Sequence, residues 1–201
     1  LGVDVLASRG QTWALARCSL EILYRPTIYT ELEVSIWSGA ATCLCADRCF
    51  VIKDKNGSEV AHGVTQWCIL DKQTRCPIKY DLNNIYIGTT PYTAPKRLSN
   101  FQPELSIKQT AGYSECDFNG HLNNSKYIEK FFDILPDKVA SNMQQIRLDI
   151  NFKREIICGK EYSYGIRKTE LGYEFCMHYE NQTACCATIE IEKMLYKLKI
   201  G

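Results

Sequence analysis

Much that would fix a function class is missing from these 201 residues. Lys+Arg and Asp+Glu nearly cancel, 24 against 23, and no block of like charge occurs, so nothing argues for nucleic acid. No apolar run approaches the roughly 20 residues of a membrane helix, and no membrane association is expected. There is no signal-peptide pattern and no targeting segment. Histidine occurs three times. The eleven cysteines contain no C-x-x-C pair. Cys43, Cys45 and Cys49 alternate along a strand-like run, so they share one face. No histidine or fourth cysteine is near in sequence, and they read as small buried thiols rather than ligands. No metal site and no cofactor is expected. Reduced thiols in this number point to the cytoplasm.

What is present is an ordinary globular composition, 45% hydrophobic and 23% charged. The length allows one large domain or two of about 100 residues. From Trp13 to Leu23 the even positions Ala14, Ala16, Cys18, Leu20 and Ile22 are apolar, the alternation of a half-buried strand. Strands follow near 31–37, 42–53 and 59–71, the last two joined at Asp54-Lys-Asn-Gly57, where Asn-Gly suits a hairpin turn. This first part has almost no helical pattern. Residues 80–104, with Asn83, Asn84, Gly88, Pro91, Pro95 and Pro103, read as a linker over the surface. Further strands are expected at 105–115, 145–154, 160–168, 172–180 and 183–193, with a hairpin tip at Glu180-Asn181-Gln182. The class is α+β: one helix laid on a strongly antiparallel sheet.

The two parts are related to each other. A shift of 128 places Leu20-Glu21-Ile22-Leu23-Tyr24-Arg25 on Leu148-Asp149-Ile150-Asn151-Phe152-Lys153, Ile28 on Ile156 and Glu33 on Glu161. The shared order of acidic, apolar and basic positions suggests an internal duplication. In this register Thr27 falls on Glu155.

The one expected helix is preceded by the densest polar cluster in the chain. Ser114 to Asn124 contains Asp117, Asn119, His121, Asn123 and Asn124. Asp117, Asn119 and His121 are two apart, so in an extended segment they share a face. From Tyr127 onward Tyr127, Ile128, Phe131, Phe132 and Leu135 form a stripe at helical spacing, with Glu129, Lys130 and Asp133 opposite. Asn123 or Asn124 can cap the start and Pro136 ends the helix. An acid, an amide and an imidazole are thus delivered to a helix N-terminus, where free N–H groups stabilise developing negative charge. Taken singly, such residues are ordinary turn and cap chemistry.

The motif Asp117-x-Asn119-x-His121-x-Asn123-Asn124 with its aromatic-rich helix resembles the acyl-acyl-carrier-protein thioesterases of bacteria and plant plastids. The segment Asn151-Phe-Lys-Arg-Glu155 is similar to the family's glutamate strand. Scattered positions from Thr12-Trp13 through Trp37, Trp67, Asp71, Arg75 and Pro77 extend the likeness over nearly the whole chain. The resemblance implies two tandem hot-dog domains, each an antiparallel sheet wrapping a central helix. Residues 1–79 would be the first domain, 80–104 a linker and 105–201 the second, catalytic domain. Family members begin with a strand and a helix before the equivalent of Leu1, so the first domain is expected to be incomplete at its start and its sheet to have a bare apolar face.

The implied activity is hydrolysis of fatty acyl-acyl carrier protein, with Asp117, Asn119, His121 and Glu155 catalytic and Asn123 and Asn124 binding substrate. Glu155 would take a proton from the attacking water or attack directly, and His121 and Asn119 would hold the carbonyl or the water. Asp117 would orient its neighbours. Plant members carry a cysteine directly after the glutamate; here that position is Ile156, with Cys158 two further on, which disfavours a thiol mechanism. Cys116 reads as packing. The implied partner is acidic acyl carrier protein, met by Lys96, Arg97, Lys126, Lys130, Lys153 and Arg154, with a homodimer also compatible. An acyl-CoA thioesterase and a non-catalytic acyl-thioester-binding module are the alternatives.

Overall fold

Alternating apolar sequence along the chain folds into strands that all join one sheet. The computed structural model describes residues 2–79, 81, 87–103 and 106–191. The strands are β1 (Gln11–Ile22), β2 (Leu32–Ala41), β3 (Ala46–Asp54), β4 (Glu59–Asp71), β5 (Pro77–Ile78), β6 (Ile107–Thr110), β7 (Ile146–Phe152), β8 (Glu161–Lys168), β9 (Gly172–Tyr179) and β10 (Gln182–Ile191). Their order is β2-β3-β4-β1-β7-β10-β9-β8-β6, with β5 pairing β4. All pairs are antiparallel. The helices are α1 (Val3–Ser8), α2 (Asn124–Asp133) and α3 (Asp137–Ala140), with a 3₁₀ turn at Tyr113–Glu115.

The two halves meet along β1 and β7. Leu20 lies opposite Leu148, flanked by Cys18 opposite Ile150 and Ile22 opposite Ile146. Leu20 and Leu148 are the residues that the shift of 128 superposes. A repeated strand that pairs with its own copy, centred on equivalent residues, is what a local two-fold axis through that pair requires.

Alternation then sorts the side chains between two faces. On the front face Ile146, Leu148 and Ile150 of β7 join Phe175 and Met177 of β9 and Ile189 of β10 beneath α2. The helix buries Tyr127 and Phe131, and Phe131 stacks on Phe175 with ring centroids 4.7 Å apart. Asn123 caps it, its side chain accepting from Ser125 N–H at 3.0 Å. The same front face continues into the first half, but no described helix covers it there. Leu32, Val34 and Ile36 of β2 remain 43%, 57% and 63% exposed. The bare face expected from the sequence is present. The short α1 was not expected; its Leu6 packs on Ile69 and Trp13 at one end of the sheet.

Residues 87–103 form a strap along the back. Asp149 and Asn151 of β7 are buried there, and they bind it. Lys96 N–H donates to Asp149 Oδ1 at 2.9 Å, Leu98 N–H to Asn151 Oδ1 at 2.9 Å, and Asn151 Nδ2 to Lys96 C=O at 2.8 Å. These bonds answer the cost of burying a carboxylate and an amide, and they explain why a segment rich in helix breakers is ordered.

The strand expected at 105–115 is only Ile107–Thr110, because the chain turns at Tyr113–Glu115. Cys43 and Cys45 sit in a turn before β3 and do not share a strand face with Cys49. Cys43 is exposed while Cys49 is buried. Residues 192–193, read as the end of a strand, lie outside the described residues, as do Asn83 and Asn84.

Candidate active site

The polar cluster is not an extended segment. Asp117 to His121 is a tight loop organised by the Asp117 carboxylate. Asp117 Oδ1 accepts from the N–H groups of Asn119 at 2.9 Å and His121 at 3.1 Å, and Oδ2 from Asn119 Nδ2 at 3.4 Å. Gly120 takes a φ of +76° to close it, and Asp117 N–H reaches His121 C=O at 2.7 Å. The three side chains therefore do not line up on one strand face as their spacing suggested. Asp117 and Asn119 come together because an aspartate folds the backbone around itself, and Phe118 is thrown outward, 98% exposed.

The loop then pairs with the segment carrying the glutamate. Leu122 N–H donates to Ile156 C=O at 2.8 Å, Cys158 N–H to Gly120 C=O at 2.9 Å, and His121 bridges Ile157. This brings His121 Nδ1 to 3.5 Å from Glu155 Oε1. The His121 side chain is 27% exposed and that of Glu155 44%, so water reaches both. Asn119 makes no side-chain hydrogen bond to either among the described residues; its amide nitrogen donates to Asp117 Oδ2. Asn123 is occupied as the cap of α2. Asn124, the first helical residue, is exposed, and its side chain has no hydrogen bond among the described residues.

Two further residues shape the site. Tyr127 read as a core position, but its hydroxyl accepts from Ile156 N–H at 3.2 Å and donates to Arg154 C=O at 3.5 Å. It therefore grips the backbone on both sides of Glu155. Burial pushes its phenol up, keeping it neutral. A tyrosine rather than a phenylalanine in the stripe was the only available signal. Arg75, from the turn between β4 and β5, donates from Nη2 to Glu155 Oε1. It was legible in sequence only as one of several positions shared with the resembled family.

Cys116 does not offer a nucleophile. Burial raises its thiol to about 11, and Sγ donates to Gly112 C=O at 3.2 Å. No group of three or more His, Cys, Asp or Glu side chains converges as a metal cage among the described residues. The expected basic patch is not one surface. Lys126 and Lys130 on α2 pair with Glu129 and Glu115, at 2.6 Å and 2.9 Å. On the back, Lys96 pairs with Glu190 and Lys153 binds Leu98 C=O and Asn100. Arg154 pairs with Glu180 at 2.5 Å. Arg97 alone of the six has no such partner among the described residues.

An antiparallel sheet with a helix laid across one face, doubled about a local two-fold, is a hot-dog architecture. The chain is similar to the acyl-acyl-carrier-protein thioesterases: residues 102–193 match the family model of the acyl-ACP thioesterase C-terminal domain. An acyl-ACP thioesterase from Bacteroides thetaiotaomicron superposes with a TM-score of 0.81 at 25% identity, over 95% of this chain and 81% of that one. The 12:0-ACP thioesterase from Umbellularia californica shares the fold, with a TM-score of 0.81 at 17% identity, over 94% of this chain and 78% of that one. A chloroplastic acyl-[acyl-carrier-protein] hydrolase of Cuphea viscosissima is 22% identical over 166 residues, 76% of this chain. The chain spans about 40% of the length of that relative.

Proposed function

We propose that this chain hydrolyses the thioester of a fatty acyl group carried on acyl carrier protein. The observation that carries the reading is the convergence of Glu155 and His121, 3.5 Å apart, beside the start of α2. Glu155 accepts a proton as water attacks the thioester carbonyl carbon. The resulting oxyanion is held by backbone N–H groups at the start of α2 that the Asn123 cap leaves over. Collapse expels the pantetheine thiolate, which takes up the proton, leaving free fatty acid and thiol. Asp117 acts indirectly: it fixes the His121 backbone and the Asn119 amide. Asn124, exposed at the helix start, is the better placed of the two asparagines to meet substrate. The eleven free cysteines support a reducing compartment such as the cytoplasm.

The test is thiol release from matched acyl-carrier-protein and acyl-CoA thioesters, with Glu155→Gln as the control. Release from the carrier-bound substrate, lost in the variant, is expected. Faster turnover of the CoA thioester would reassign the carrier, and binding without release would make the chain a non-catalytic module. The paired state of Lys96, Lys126, Lys130 and Arg154 makes the carrier comparison a real test, since these charges are already balanced within the chain.

A further inference from the structure

The catalytic segment lies in the second half, yet one of its contacts comes from the first. Arg75 Nη2 reaches Glu155 Oε1 across 80 residues of sequence. His121 Nδ1 approaches the same oxygen. Both contacts fall on Oε1, and Oε2 has no partner among the described residues.

The turn that presents Arg75 is held together by Asp71. Asp71 Oδ1 accepts from Gln73 N–H at 3.0 Å, Thr74 N–H at 2.7 Å and Thr74 Oγ1 at 3.0 Å. Those bonds, the Thr74 N–H first, hold the Asp71 carboxyl below its usual range. Arg75 N–H closes the turn onto Asp71 C=O at 2.9 Å, and Asp71 N–H binds Cys76 C=O at 3.0 Å. The arginine itself has a φ of +57°. That left-handed conformation is unfavourable for a residue with a β-carbon. An ion pair whose side chains are 37% and 44% exposed adds little to stability. Fold stability alone does not account for an arginine held this way.

We propose that Arg75 is a positioning residue for Glu155: its guanidinium pins Oε1 and leaves Oε2 to meet the attacking water. The inference rests on the reading of Glu155 as the proton acceptor. It makes the first half a participant in chemistry whose other groups lie in the second. Arginine suits the task because its planar fork fixes direction as well as charge, whereas a lysine supplies a shorter point charge.

The experiment uses the full chain and an acyl-pantetheine thioester, with thiol release as readout. Arg75→Ala is expected to lower kcat roughly 10²-fold, the cost of about 1 Å of misplacement, with KM and melting temperature nearly unchanged. Arg75→Lys recovers part of the rate. Millimolar guanidinium restores Arg75→Ala but not Glu155→Gln, a rescue that a structural role would not give. Arg167→Ala, which removes another exposed pair, with Glu174 on β8–β9, keeps wild-type rates. Wild-type release with Arg75→Ala at the same kcat overturns the role of Arg75 and leaves the proposed activity standing. A fall in rate with no guanidinium rescue and a lowered melting temperature also overturns it. Absence of release by the wild-type chain overturns both.

Discussion

The two halves of the sheet are copies in topology and opposites in what covers their front face. In the second half α2 seals the front face, and the segment after β7 delivers Glu155 to His121. In the first half β2 leaves Leu32, Val34 and Ile36 in solvent, and the position matching Glu155 is Thr27. Thr27 shares a hydrogen bond with Thr30 in an exposed turn and has no imidazole partner among the described residues. A strand end meets an imidazole only where the Asp117–His121 loop and a helix start stand beside it.

The largest effect should come from exchanging the acid between the halves. Glu155→Gln keeps shape and removes the base, so thiol release should fall by roughly 10³-fold. Thr27→Glu in that background should restore nothing, because no imidazole faces that turn. Recovery of activity would break the comparison. Next is the core. Phe131→Ala, in the fully buried ring stack on Phe175, should cost about 3–5 kcal/mol of unfolding free energy. Ile36→Ala on the bare face should cost less than about 0.5 kcal/mol. Denaturant titration reads both. Equal losses would mean that the first face is as covered as the second. Tyr127→Phe should be milder, about 1 kcal/mol. It should also slow turnover more than its stability loss explains, because it releases the backbone around Glu155.

Periodicity made most of the strands, the long helix and its Asn123 cap readable, although the helix ends at Asp133 and Pro136 instead opens α3. The turn at Asp54–Gly57 was readable from Asn-Gly, and Gly57 adopts the positive φ that requires it. The duplication was readable as well, though not that the copied strands would be neighbours in one sheet. What escaped was set by contacts distant in sequence. Nothing local shows that Asp149 and Asn151, at strand positions that could have faced water, would instead bind the strap. The Asp117–His121 loop misled because alternating polar residues look like a strand face. An aspartate followed two residues later by Asn and three later by Gly is equally a turn, and the turn won. Glu155 itself was legible only through family resemblance; the residue alone reads as an exposed turn carboxylate. Arg75 and Tyr127 touch the site through partners 80 and 29 residues away, a separation that no pattern in one sequence encodes.

The smallest effect concerns the acid that ties the motif loop to its helix, a tie confined to the second half. Glu115 accepts from Gly112 N–H at 3.0 Å and pairs with Lys130 of α2 at 2.9 Å. The Gly112 bond, with Lys130 behind it, holds its carboxyl below the usual range against the opposing effect of burial. A carboxyl lowered on folding binds its proton less readily in the folded state than in the unfolded one. Its contribution is therefore complete above about pH 4.3, the ordinary glutamate value, and is lost as pH falls through the lower folded value. Wild type should exceed Glu115→Gln by about 1 kcal/mol at neutral pH, a charge-assisted bond between side chains largely out of water. The gap should close on acidification below pH 4. Denaturant titrations of both proteins at a series of pH values measure that convergence. A constant gap down to strong acid would mean that Glu115 acts by shape alone, and the loop would then be joined to α2 by packing rather than by charge.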